Sequence, residues 1–94
     1  MTRELNKAAD AYHLLAQAYP RDSTSYNQLG LIYAETGEDE KAIPELQQAI
    51  RLAHSVGVFY GNLMGAYRRL DRFDEGKAVA EQFFGQSGIL PAFT

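Results

Sequence analysis

The residues with the most reactive side chains are two histidines, a few serines and an acidic run. His13 and His54 lie 41 positions apart, without the HExxH-type spacing that brings metal ligands to one helix face. No serine lies between the glycines of a nucleophile elbow, and the chain has no cysteine to supply a thiolate. We therefore predict no enzyme activity, no metal site and no cofactor.

The acidic run Glu38-Asp39-Glu40 is the one stretch where neighbouring carboxylates could serve as an acid and a base. It follows Gly37, a residue that suits the left-handed turn at the end of a helix. Acidic side chains also stabilise the positive end of a helix dipole. We interpret the run as the solvated start of a helix.

Arg68 and Arg69 form the most distinctive basic pair. Guanidinium groups bind carboxylates in a bidentate manner, so the pair could form a carboxylate-binding corner. Two solvated surface side chains are the alternative interpretation. The sequence leaves both open.

Composition limits the class of protein. A chain of 94 residues with 46% hydrophobic and 22% charged residues is one small globular domain. Its net charge of −3 gives no attraction for phosphate backbones, so we expect no nucleic-acid partner. No apolar stretch approaches the roughly 18–20 residues that cross a bilayer, and no signal peptide is evident. We expect no membrane partner and a cytoplasmic location, which the lack of cysteine fits.

The elements that would position these residues are indicated by an internal repeat. A shift of 34 residues superposes large apolar residues on one helical face, namely Tyr26 on Tyr60, Leu29 on Leu63 and Tyr33 on Tyr67. The same shift backward pairs Ala42 with Ala8, Leu46 with Tyr12 and Ala49 with Leu15. A period of this length is typical of solenoids built from helix pairs.

These residues resemble the tetratricopeptide repeat, whose first helix carries an aromatic residue, Leu-Gly and a tyrosine, and whose second carries alanine and large apolar residues. The clearest copy is residues 23–56. Residues 57–90 form a weaker copy, which keeps Phe73 but has Met64 and Gly76 where the pattern has glycine and alanine. Residues 3–20 resemble the second helix of a preceding repeat. We predict one domain over residues 1–94.

The resemblance implies an all-α fold, a right-handed α-α superhelix of antiparallel helices near residues 3–19, 23–36, 39–54, 57–70 and 73–86. Pro20 and Gly37 mark helix ends, and Asp22 or Ser23 can cap the second helix. Pro44 lies early in the third helix, where it costs only a mild kink. Glycines inside the fourth helix cost about 1 kcal/mol each, so we expect a closely packed neighbour there.

The first helices of successive tetratricopeptide repeats line a concave groove, and the resemblance implies a protein or peptide partner there. The groove residues we predict lie on the faces of the second and fourth helices that the core does not use: Asn27, Leu31, Ala34, Gly61, Asn62, Gly65, Arg68 and Arg69. The two glycines would admit a close backbone, and the two asparagine amides could pair with an extended main chain. Internal helix packing and solvation are the alternatives.

A looser resemblance is to the repeat tails of some bacterial serine/threonine kinases. It rests on three segments: Ala18-Tyr19-Pro20-Arg21-Asp22, Tyr60-Gly61-Asn62-Leu63 and Arg72-Phe73-Asp74-Glu75. No kinase motif is present, so no kinase activity follows. The resemblance and the missing first helix suggest a piece of a larger multidomain protein.

Two other functions compete with peptide binding. A helix without its hairpin partner exposes apolar surface, and so does a C-terminal end that carries Phe83, Phe84, Ile89, Leu90 and Phe93. Homo-oligomerisation through these ends would make the chain a self-association element. A rigid spacer between domains is the remaining hypothesis.

Overall fold

The chain forms helices separated by short turns in the computed structural model, which describes residues 3–87. The five helices are α1 (Arg3–Ala18), α2 (Ser23–Glu35), α3 (Asp39–Leu52), α4 (Gly57–Arg69) and α5 (Phe73–Ser87), with no strand among the described residues. Each predicted boundary lies within two residues of the observed one. The predicted all-α, tetratricopeptide-like helical repeat is confirmed.

Local side-chain chemistry accounts for the breaks between helices. Asp22 caps α2, because its Oδ1 accepts a hydrogen bond from the Thr24 amide at 3.1 Å. Gly37 has a φ of 80°, a left-handed conformation that costs glycine little. Pro44 is exposed in an uninterrupted α3. The turn residues therefore act as the sequence predicts.

The helices stack in chain order. Each helix packs against the next one, and α2 also contacts α4, so the first helices of the two hairpins lie side by side. The second helices, α3 and α5, make no comparable contact with each other in the described part of the chain. This arrangement gives an open stack with a face lined by α2 and α4.

The core includes most of the residues that the 34-residue period superposes, but not Leu15 of α1, which is 41% exposed. Tyr60 is fully buried, and Leu29 and Leu46 are each 1% exposed. A Cβ added at Gly30 would lie 2.6 Å from the Leu46 side chain, so glycine is required for α2 and α3 to approach this closely. The packing of large side chains against small ones holds α2 and α3 together.

The two ends of the stack differ from each other. At the N-terminal end, Leu14 of α1 is 66% exposed and Tyr19, directly after α1, is 64% exposed, which leaves the apolar surface that the sequence predicts there. On α5, Phe83 is half-buried and packs against Tyr60 with ring centroids 5.1 Å apart. Phe83 is therefore not part of an open end, contrary to the prediction.

Two other phenylalanines of α5 are more exposed than Phe83, and the exposure of Phe84 agrees with the predicted apolar end. Phe73, counted among the matches of the weaker repeat, is 61% exposed, and Phe84 is 37% exposed. The predicted contributions of Ile89, Leu90 and Phe93 lie outside the described residues. None of the helices described has the length and apolar character needed to span a membrane.

Candidate functional site

A concave cavity of about 440 Å³ lies on the face formed by α2 and α4. Leu46 of α3 closes its base beside Gly30. The structure brings together here these residues of the predicted groove: Leu31, Ala34, Gly61, Asn62, Gly65, Arg68 and Arg69. Whether a partner binds them stays a prediction.

Asn27 is placed differently from the other predicted groove residues. It is 7% exposed and does not line the cavity. Its Oδ1 accepts a hydrogen bond of 2.9 Å from Nδ2 of Asn62, which does line the cavity. Asn27 therefore ties α2 to α4 and holds the Asn62 amide, and Asn62 is the amide that a ligand can reach.

The two cavity glycines have different surroundings. A Cβ added at Gly65 would lie 3.3 Å from Nη1 of Arg69, whose side chain folds back over it. A Cβ added at Gly61 would meet no described atom within 4 Å. The expectation of a closely packed neighbour is therefore wrong for Gly61, which opens directly into the cavity.

The adjacent arginines have separate environments. Arg69 donates from Nε and Nη2 to Oδ1 of Asp39, each at 2.9 Å, and so joins the end of α4 to the start of α3. Asp39 is only 8% exposed, so this carboxylate is not the solvated one that the acidic run suggested. Arg69 is consequently occupied by an internal ion pair, and a corner made of two free guanidinium groups is not present.

Glu35 and Arg68 are the charged cavity residues without such a partner. Both are exposed, Glu35 on α2 and Arg68 on α4. Among the described residues neither side chain takes part in a hydrogen bond or an ion pair, with each other or with a third group. The cavity therefore carries one unpaired charge of each sign on opposite walls.

The remaining polar candidates have structural partners. Nε2 of His13 lies 3.0 Å from the Tyr33 hydroxyl, and the backbone carbonyl of His54 accepts a hydrogen bond of 2.8 Å from Tyr60. Within residues 3–87 no three His, Asp or Glu side chains come together as a metal ion would require. The His13 side chain thus links α1 to α2, whereas His54 takes part only through its backbone.

Glu38 also has a local role at the start of α3. The Thr36 hydroxyl donates to its Oε2 at 2.8 Å, and this hydrogen bond is the main cause of a lowered pKa for the Glu38 carboxyl. Lys41 lowers the same pKa further. A carboxylate held ionised in this way suits the helix start and not proton donation at neutral pH.

Comparison with known families finds a match over the hairpin formed by α2 and α3, which contributes one wall and the base of the cavity. Residues 23–54 match the family model described as the tetratricopeptide repeat. This segment is therefore similar to a tetratricopeptide repeat. Such repeats are non-enzymatic modules that mediate protein–protein interaction. A search of curated proteins found none that matches the chain.

The match leaves two predictions untested. The weaker tetratricopeptide repeat at residues 57–90 lies beyond the matched segment, although α4 and α5 pack as a hairpin. The resemblance to the repeat tails of bacterial kinases has no support in the match. Both stay predictions.

Two charged residues at the site escaped prediction from the sequence. Glu35 was not among the groove residues, and Asp39 was assigned to solvent. The repeat register carries a signal for Glu35, because the 34-residue shift places it on Arg69, an opposite charge at the equivalent position. Nothing in the sequence pairs Asp39 with Arg69, since 30 residues separate them.

Proposed function

We propose that the cavity between α2 and α4 binds a peptide or helix of a partner protein. The observation that carries this proposal is the position of Gly61, a helical glycine that lines the cavity and has no described atom within 4 Å of an added Cβ. Glycine inside a helix costs about 1 kcal/mol relative to alanine, and internal packing does not explain this cost at Gly61. A ligand backbone or side chain that lies against α4 would explain why glycine occupies this position.

The surrounding residues suit such a ligand. Leu31 is 40% exposed on the α2 wall and offers apolar contact. Asn62 lines the same cavity, and its amide is oriented by Asn27, so its oxygen is free to accept from a ligand amide. Apolar contact beside a few oriented polar groups is typical of binding clefts.

The proposal is tested by filling the cavity. A phage-displayed library of random peptides is selected on the protein, and synthetic versions of the enriched peptides are titrated by fluorescence polarisation. We expect Gly61→Leu to weaken binding at least about tenfold, a loss of about 1.4 kcal/mol. The variant should keep its helical circular dichroism, because leucine is a better helix former than glycine.

Gly85→Leu provides the matched control. Gly85 is also helical, also has no described atom within 4 Å of an added Cβ, and lies on α5 away from the cavity. Its substitution should leave peptide affinity unchanged. Equal binding by wild type and Gly61→Leu would contradict the proposed site.

Self-association is a second candidate, favoured by the apolar surface of α1. Leu14 of α1 and Tyr19, directly after it, are each about two-thirds exposed, and exposed apolar patches commonly mark interfaces. On this hypothesis the mass measured by light scattering rises with concentration, and Leu14→Glu abolishes the rise while Gly61→Leu does not. A constant monomer mass up to millimolar concentration would exclude it.

A further inference from the structure

The charges at the cavity point to the chemistry of the partner, an inference that rests on the proposed function. Glu35 lies on the α2 wall and Arg68 on the α4 wall. Both are exposed, and among the described residues neither pairs with any other side chain. An occupant of the cavity would therefore meet a negative charge on one side and a positive charge on the other.

Helix stability does not explain the position of Glu35. It is the last residue of α2, where the carbonyl ends give the helix dipole its negative pole. A carboxylate there is unfavourable, and the last turn of α2 has no basic residue to offset it. Arg68, in the last turn of α4, is by contrast favourable for its own helix. A basic group of a partner protein would offset the charge of Glu35.

Arg69 does not serve the same purpose as Arg68. Its guanidinium group is joined to the nearly buried Asp39 carboxylate, which neutralises its charge within the fold. Removing it from Asp39 would leave a buried carboxylate without a counter-ion. Arg68 is the cation of the cavity that remains available to a ligand.

We propose that the cavity selects a segment of a partner protein that carries an acidic side chain toward Arg68 and a basic side chain toward Glu35. In the bound segment, an apolar residue lies between the acidic and the basic side chain and contacts Leu31 and Gly61. Because the walls differ in sign, the bound segment runs across α2 and α4 in one direction only. The occupant is a partner peptide of defined charge order.

The distance between the walls sets the spacing of the charges. Packed helices lie about 8–10 Å apart, which an extended segment covers in about three residues and a helix in about six. An exposed charge pair stabilises a complex by about 0.2–1 kcal/mol, so each pair adds up to about fivefold in affinity. Charge order is therefore a matter of selectivity, and the apolar contact supplies the larger share of binding.

The test exchanges the two charges. Random peptide libraries displayed on phage are selected in parallel on the wild type and on the double variant Glu35→Arg, Arg68→Glu, which has the same net charge. We expect the enriched peptides to carry acid and base in one order on the wild type and in the opposite order on the variant. Replacing the acid of an enriched peptide by its amide should weaken wild-type binding about two- to fivefold.

The matched control is Lys77→Glu, Glu81→Lys, a charge exchange between exposed residues of α5 that do not line the cavity. Selection on this control variant should enrich peptides with the same charge order as selection on the wild type. Enriched peptides that lose binding on Gly61→Leu but show no common charge order would overturn this inference and leave the proposed function standing. A library that yields no peptides would overturn both, and a changed order on the control would overturn the role of Glu35 and Arg68.

Discussion

Glycines in this chain have opposite roles at neighbouring positions of the structure. Gly30 is required because Leu46 of the paired helix lies against its Cα, whereas Gly61 faces an open cavity. Sequence periodicity treats both as weak points of a helix. Only the distance to the nearest side chain separates a glycine that packs from one that leaves room for a ligand.

Alanine substitutions at the two positions should change stability in opposite directions. Gly30→Ala should lower the free energy of unfolding by about 1–3 kcal/mol, because its Cβ would overlap Leu46. Gly61→Ala should raise it by up to about 1 kcal/mol, because alanine favours the helix and meets no atom. Urea denaturation followed by circular dichroism measures both. A stable Gly30→Ala variant would show that Leu46 moves aside freely.

The carboxyl of Glu45 provides a pH-dependent test. Burial raises its pKa, and the charge of His13 opposes the rise. A raised folded-state pKa means that stability is greatest when Glu45 is protonated, below the unfolded value near 4, and is lost as the pH rises through the folded value. Glu45→Gln should therefore raise the melting temperature at pH 7, and the difference from wild type should shrink to zero as the pH falls below about 4. A difference that is constant with pH would contradict this assignment.

At the scale of the helices, the structure depends on side chains that join helix ends. The Asp39–Arg69 pair connects the first turn of α3 to the last turn of α4, where each charge also suits its own helix dipole. The Asn27–Asn62 hydrogen bond connects α2 to α4 beside the cavity. Together these links fix the position of α4 against both α2 and α3.

The two arginines at the end of α4 should therefore respond differently to the same substitution. Arg69→Gln should lower the free energy of unfolding by about 1–3 kcal/mol, because it leaves the nearly buried Asp39 without a charged partner. Arg68→Gln should change it by less than about 0.5 kcal/mol, as expected for an exposed side chain without partners. Thermal unfolding of both variants is the measurement. Equal losses would mean that the ion pair adds nothing to the fold.

At the scale of the whole molecule, an open stack leaves a face of α2 and α4 uncovered. Each helix packs chiefly on its sequence neighbours, so stability is a sum of local interfaces and the end helices are held on one side only. The cavity is a consequence of this architecture, since a closed bundle would cover it with another helix.

Amide hydrogen exchange should be slower in the central helices than in the helices at the two ends of the stack. We expect the slowest amide exchange in α2, α3 and α4, and faster exchange in α1, where only Ala9 and Ala16 are buried. α5 should resemble α1, because among the described residues it packs on α4 alone. Native-state exchange with mass-spectrometric detection resolves the helices separately. Uniform protection along residues 3–87 would show that the chain unfolds as a single cooperative unit.

The helices and the face that each of them buries were predictable from the sequence alone. Pro20, Asp22 and Gly37 act on their own stretch of backbone, and the 34-residue period marks the face that each helix buries, so neither feature needs knowledge of distant contacts. The environments of Asn27, Asp39 and Arg69 were not readable. Each depends on a partner 30 to 35 positions away, and which atoms meet across two helices depends on how one helix is rotated and shifted against the other. Periodicity gives the buried face of a helix, but packing in three dimensions selects the partner of each polar atom at its edge.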